Sequence, residues 1–191
     1  MVNLVKGQKV ELTKSNPGLT KINAGLGWDV NAFDSGTAFD LDAEVFLLGD
    51  NGKVTSDSDF IFYGNTTHPS GAVEHTGDNR DGAGEGDDET IRIDLSRVPE
   101  SVTRISFAAT IYDAETRNQN FGQVRNAFIR IYNPDTNEEL IRYDLTEDYS
   151  IETALIIAEL YRHNGEWKFN AVGAGYQGGL EAICRGYGVN V

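Results

Sequence analysis

The stretch Tyr161-Arg162-His163-Asn164-Gly165-Glu166-Trp167-Lys168-Phe169 decides the architecture. Asn-Gly closes two-residue β-hairpins, because both positions need positive φ and these two residues adopt it at low cost. Beyond the turn, Trp167 and Phe169 alternate with Glu166 and Lys168, the period of a strand with one buried face. Working outward, the same period recurs at Val10/Leu12, Val45/Leu47, Phe60/Phe62, Ile91/Ile93/Leu95, Ile105/Phe107, Ile129/Ile131 beside Phe128, and Ile141/Tyr143/Leu145. The clusters Asp50-Asn51-Gly52, His68-Pro69-Ser70-Gly71 and Asn133-Pro134-Asp135 punctuate these runs as turns. About ten short strands with frequent turns predict an all-β protein, an antiparallel β-sandwich. The exception is Leu180–Arg185, which follows Gly178-Gly179 and reads as one short C-terminal helix stopped by Gly186. No Pro-rich or Gly/Ser-rich linker interrupts the chain, so residues 1–191 read as a single domain.

A weak internal repeat runs through this pattern. Gly27-Trp28-Asp29 is followed, thirteen positions after the aspartate, by Asp42-Ala43-Glu44-Val45; Ile111-Tyr112-Asp113 is followed at the same spacing by Asn126-Ala127-Phe128-Ile129. The first connection carries Asp34, Asp40 and Asp42, whereas the second carries Glu115, Arg117, Asn120, Arg125 and Asn126. If the halves are related, one would hold metal and the other would offer a mixed polar face.

Charge narrows the function. Sixteen basic against thirty acidic residues give a formal net charge of −14, which opposes binding to nucleic-acid phosphates and anionic lipid. The acids are concentrated in Gly77-Asp78-Asn79-Arg80-Asp81-Gly82-Ala83-Gly84-Glu85-Gly86-Asp87-Asp88-Glu89, where six carboxylates and four glycines share thirteen residues. Glycines let a backbone fold back on itself, and carboxylates with freed carbonyls supply the hard oxygen ligands of a calcium loop. Carboxylates this crowded repel one another until a cation neutralises them. Loops cluster at the ends of a sandwich, so Asp29, Asp40, Asp42 and the 78–89 loop can converge, with enough acids for two adjacent ions.

Oxygen-only donors on a flexible loop favour Ca²⁺ over Mg²⁺, and His68, His75 and His163 form no zinc motif. His75 reads as a strand residue rather than a ligand. The loop does not fit an EF-hand, and Gly173-Ala174-Gly175-Tyr176-Gln177-Gly178 lacks the second strand and distant acid of a dinucleotide site. No nucleophile motif points to catalysis, so the chain reads as a binding protein and not an enzyme. Cys184 is the lone cysteine, which rules out an intrachain disulfide and favours a reducing compartment. Neither a signal-peptide h-region nor a membrane-length apolar run is present, and a soluble, cytoplasmic protein is expected.

Several motifs together resemble one family: Gly25-Leu26-Gly27-Trp28-Asp29, Phe39-Asp40-Leu41-Asp42-Ala43, Phe60-Ile61-Phe62-Tyr63, the loop from His75 to Glu89, Phe121-Gly122-Gln123-Val124, and the Tyr161–Phe169 hairpin. The chain is similar, essentially end to end, to the TerD family of bacterial tellurium-resistance and general stress proteins. The resemblance implies a cytoplasmic, calcium-binding β-sandwich that acts in stress resistance. It also implies protein partners, among them membrane proteins of the TerC type at the inner face of the cell membrane. Its ligand positions map onto Asp29, Asp40, Asp42, Asp78, Asn79, Asp87, Asp88 and Glu89, with carbonyls near Gly82 and Gly84 as helpers. A Ca²⁺-dependent interaction module is the leading expectation; a sandwich whose Ca²⁺ bridges sugar or small-molecule hydroxyls is the alternative.

Overall fold

In a computed structural model, described over residues 1–29, 38–77, 86–145 and 149–191, the strands form two six-stranded sheets. They are β1 (Val2–Leu4), β2 (Lys9–Glu11), β3 (Lys21–Gly27), β4 (Leu41–Leu48), β5 (Phe60–Ile61), β6 (Val73–His75), β7 (Glu89–Asp94), β8 (Arg104–Ile111), β9 (Phe128–Tyr132), β10 (Glu139–Asp144), β11 (Ala154–His163) and β12 (Glu166–Tyr176). One sheet has the order β1-β10-β9-β3-β7-β6, the other β2-β12-β11-β8-β4-β5. Every pairing is antiparallel except β1 with β10, a parallel edge pair that the sequence pattern did not announce. Among the described residues there are twelve strands where about ten were expected, because β1 and β6 are only three residues long and show too little alternation to be read.

The Asn-Gly hairpin forms as its chemistry requires. Asn164 and Gly165 have φ of 52° and 78°, and His163 pairs with Glu166 across the turn. The alternating residues Leu41, Val45 and Leu47 of β4 and Phe107, Ala109 and Ile111 of β8 fill the space between the sheets, against Ala24, Leu26, Ile91, Ile93, Ile129 and Ile131 of the facing sheet. The opposite faces of β4 and β8 are buried too. Phe46, Leu48 and Ala108 lie under Ile183 and Cys184 of helix α2 (Gly179–Tyr187), together with Ala154, Ile156 and Val189. This second small core explains why all eight residues of β4 are buried. The helix does not stop at Gly186. It continues to Tyr187 and ends at Gly188, whose φ is 81°, with the amide of Val189 bonded to the carbonyl of Cys184. A short helix, α1 (Ala114–Arg117), follows β8.

The two connections of the sequence repeat make equivalent moves. The segment after β3 crosses from one sheet to β4 in the other, and the segment after β8 crosses back to β9. They hold each other: Asp29 donates its amide to Arg125 O at 3.0 Å, and Tyr112 donates its amide to Asp40 O at 2.8 Å. Asp29 and Asp40 therefore sit where both connections cross, at one end of the sandwich.

Candidate metal centre

Strand ends bring the acidic positions together. Asp29 lies just beyond β3, Asp40 and Asp42 straddle the start of β4, and Asp88 and Glu89 open β7, which pairs with β3 so that Glu89 stands opposite Leu26. The two sheets are joined at this end by Glu89. Its phase matches that of Ile91 and Ile93, so the side chain points into the sandwich, where Oε2 accepts from the Ala43 amide at 2.5 Å and lies 3.3 Å from His75 Nε2. β5 pairs with β4 only at Val45 and Phe46, and the Glu89 carboxylate takes its place beside Ala43. His75 is a buried strand residue that holds Glu89.

Each remaining acid has a distinct environment. The exposed Asp29 accepts from Asn126 Nδ2 at 2.6 Å, and Asn126 is itself held at φ 53°. The Asp88 carboxylate accepts from the Trp28 amide at 2.9 Å while its own amide donates to Leu26 O at 2.8 Å. Asp40 lies 3.8 Å from Arg117 Nη1, and that guanidinium also stands over the ring of Tyr112. Asp42 is buried on the outer face of β4, directly across from Thr110. Asp87 differs from all of these. Its two oxygens are gripped by Arg130 on the outer face of the other sheet, Nε at 2.7 Å and Nη2 at 3.0 Å. Hydrogen bonding to Asp87 in turn raises the pKa of the guanidinium beyond its already high ordinary value, against the opposing effect of burial. Asp78, Asn79, Gly82 and Gly84 lie outside the described residues.

Sequence reasoning did not single out Glu44. It lies two residues along β4 from Asp42 on the same face, is 1% exposed, and accepts from Thr110 Oγ1 at 2.5 Å, while its Oε2 has no hydrogen-bond partner among the described residues. Burial pushes its carboxyl well above the ordinary range; the Thr110 bond opposes this, and the negative charges of Asp42 and Glu89 add to it. The strand period gave its face, but nothing in the sequence placed the predicted C-terminal helix against that side of β4. Arg130 and Asn126 were missed in the same way, since their partners lie 43 and 97 residues away.

Chemically, the end offers a set of hard oxygen donors from Asp29, Asp40, Asp42 and Asp88, with no thiolate and no imidazole beyond the inward-facing His75, and this donor set fits Ca²⁺. Among the described residues alone, no three acidic, histidine or cysteine side chains gather closely enough to hold an ion.

By its fold and its composition the chain is an acidic β-sandwich of two six-stranded sheets. The TerD domain model matches residues 1–187, and the chain belongs to the TerD family. It is 62% identical over 190 residues to general stress protein 16U of Bacillus subtilis (strain 168), covering 100% of this chain and 98% of that one. It is 57% identical over 189 residues to tellurium resistance protein TerD of Serratia marcescens, covering 99% and 98%. Among solved structures, a homologue of telluride resistance protein (TerD) from Streptomyces coelicolor A3(2) superposes with a TM-score of 0.68 at 21% identity over 87% of this chain and 95% of its own, a likeness of fold.

Proposed function

We propose that this protein is a calcium-binding member of the bacterial stress and tellurium-resistance response that works as a Ca²⁺-dependent interaction module and not as a catalyst. The general role is supported by the relatives named for general stress and tellurium resistance, at 56–62% identity. The calcium reading is carried by one observation: both crossing connections and the approach to β7 deliver Asp29, Asp40, Asp42 and Asp88 to a single end of the sandwich. Bound Ca²⁺ removes the repulsion between these carboxylates and orders the connections that bear them. The ordered rim is then the surface offered to a protein partner, a membrane protein of the TerC type being the one that the family resemblance implies. None of the helices among the described residues is long and apolar enough to cross a membrane, so recruitment to one would run through such a partner.

Calorimetric titration of chelator-stripped protein with Ca²⁺, in excess Mg²⁺, tests the reading. Saturable, Mg²⁺-resistant uptake of one or two ions is expected, and Asp88→Asn should weaken it with the fold retained. A flat titration of the wild type would remove calcium from the account.

A further inference from the structure

We propose that Arg130 is the positioning residue of the cation site, holding Asp87 as an anchor of the acidic segment and withholding it from the metal. The inference rests on the calcium reading above.

Arg130 lies in β9 between Ile129 and Ile131, both of which fill the core, so its side chain emerges on the outer face of the sheet, opposite Gly25 of β3. Asp87 crosses over Gly25, and a Cβ there would collide with its carboxyl. The guanidinium meets both carboxylate oxygens in the two-pronged geometry that only arginine offers. Its remaining nitrogen, Nη1, donates to Glu139 Oε2 at 3.2 Å, and its plane lies over the Tyr132 ring, 4.8 Å from the centroid. The Asp87 side chain is 6% exposed. Two of the three guanidinium nitrogens thus serve Asp87, and Glu139 takes the third.

The consequence appears in the next two residues. With Asp87 fixed, the Asp88 amide reaches Leu26 O, its carboxylate caps the Trp28 amide beside Asp29, and Glu89 turns inward to Ala43. Three consecutive acids are thus aimed in three directions, and only Asp88 faces the end where Asp29 sits. Arg130 also neutralises one of the three charges, so this segment can hold its shape before any metal arrives. A partner that fixes a ligand's orientation without touching the metal typically governs affinity by about 10- to 100-fold.

The test compares Ca²⁺ calorimetry of wild type, Arg130→Met, Asp87→Asn and the double variant, with hydrogen exchange of the Asp88 amide followed in each. Circular dichroism confirms folding, and Asp87→Asn carries the test should Arg130→Met fail to fold. The anchor role requires each single variant to weaken Ca²⁺ by about 10- to 100-fold at unchanged stoichiometry. It also requires the double variant to be no weaker than either single, and the Asp88 amide to lose protection in all three. Tighter binding or an additional ion in Arg130→Met would show that Asp87 is a ligand the arginine competes for, and would overturn the proposal. Loss of an ion in Asp87→Asn alone would overturn it too. Wild type that binds no Ca²⁺ defeats the calcium reading, whereas wild-type binding matched by Arg130→Met defeats only this one.

Discussion

At Gly25 the backbone of β3 passes so close beneath Asp87 that a methyl group has no room. Gly25→Ala is therefore expected to displace the Asp87–Arg130 pair and destabilise the protein by about 1–3 kcal/mol, read as a lower urea midpoint. Glu44 makes a prediction in pH. Its folded-state pKa lies above the unfolded value, so below about pH 4 both states are protonated and the group is neutral toward stability. As pH rises from there, the unfolded chain ionises first and the wild type loses stability until the buried carboxyl also titrates. Glu44→Gln keeps an acceptor for Thr110 but does not titrate. In chelator, it should match wild type near pH 4 and melt a few degrees higher at pH 8, since about 1 kcal/mol moves Tm by roughly 2–4 °C in a domain of this size. An equal difference at both pH values would rule out the buried charge as its cause. At this scale the sequence shows which way a side chain points, because strand phase sets Glu89 inward with Ile91 and Arg130 outward between Ile129 and Ile131. It does not show what the side chain meets there, since Ala43, Asp87 and Asn126 reach their partners only through the fold.

Elements differ in how plainly they are written. The hairpin at Asn164-Gly165 was legible because its turn chemistry is local, and Gly165→Ala should cost about 1–2 kcal/mol by forcing a side chain into positive φ. Arg162 on this hairpin stacks on Trp167 and donates to the carbonyls of Val98 and Val102, so the damage would reach the adjoining loop. The strands β1 and β6 were hard to read because their pairing is set by neighbours and not by their own pattern. Helix α2 was visible, yet its extent was not, because Gly186 looks like a stop and Gly188 supplies it. The position of α2 over Phe46 and Cys184 bears on chemistry as well. Burial, with a smaller push from Glu44, drives the Cys184 thiol up to about 12. The native protein should thus react with a thiol reagent at pH 8 only as fast as it opens, and denaturant should release the full signal. Prompt labelling of folded protein would make Cys184 a candidate for redox chemistry. With labelling this slow, Cys184→Ser is expected to leave a tellurite-resistance phenotype intact.

For the molecule as a whole, the net charge of −14 and the carboxylates gathered at one end act in the same direction: both oppose folding through repulsion, and both are relieved by cations. The two effects separate by their dependence on salt. Diffuse repulsion is screened over about 8 Å at 0.15 M ionic strength, whatever the cation, whereas coordination by fixed carboxylates is not reproduced by Na⁺. Thermal melts in chelator should therefore show Tm rising with NaCl and levelling off near physiological strength. Added Ca²⁺ should raise it further from that plateau. At a free concentration of about 100 times Kd, one site contributes about 2.7 kcal/mol, or roughly 5–10 °C here. Mg²⁺ at the same ionic strength should move Tm no more than NaCl does. If Ca²⁺ merely matched Mg²⁺ at the plateau, the acidic end would be a solvated surface, and the alignment of Asp29, Asp40, Asp42 and Asp88 would need a reason other than metal.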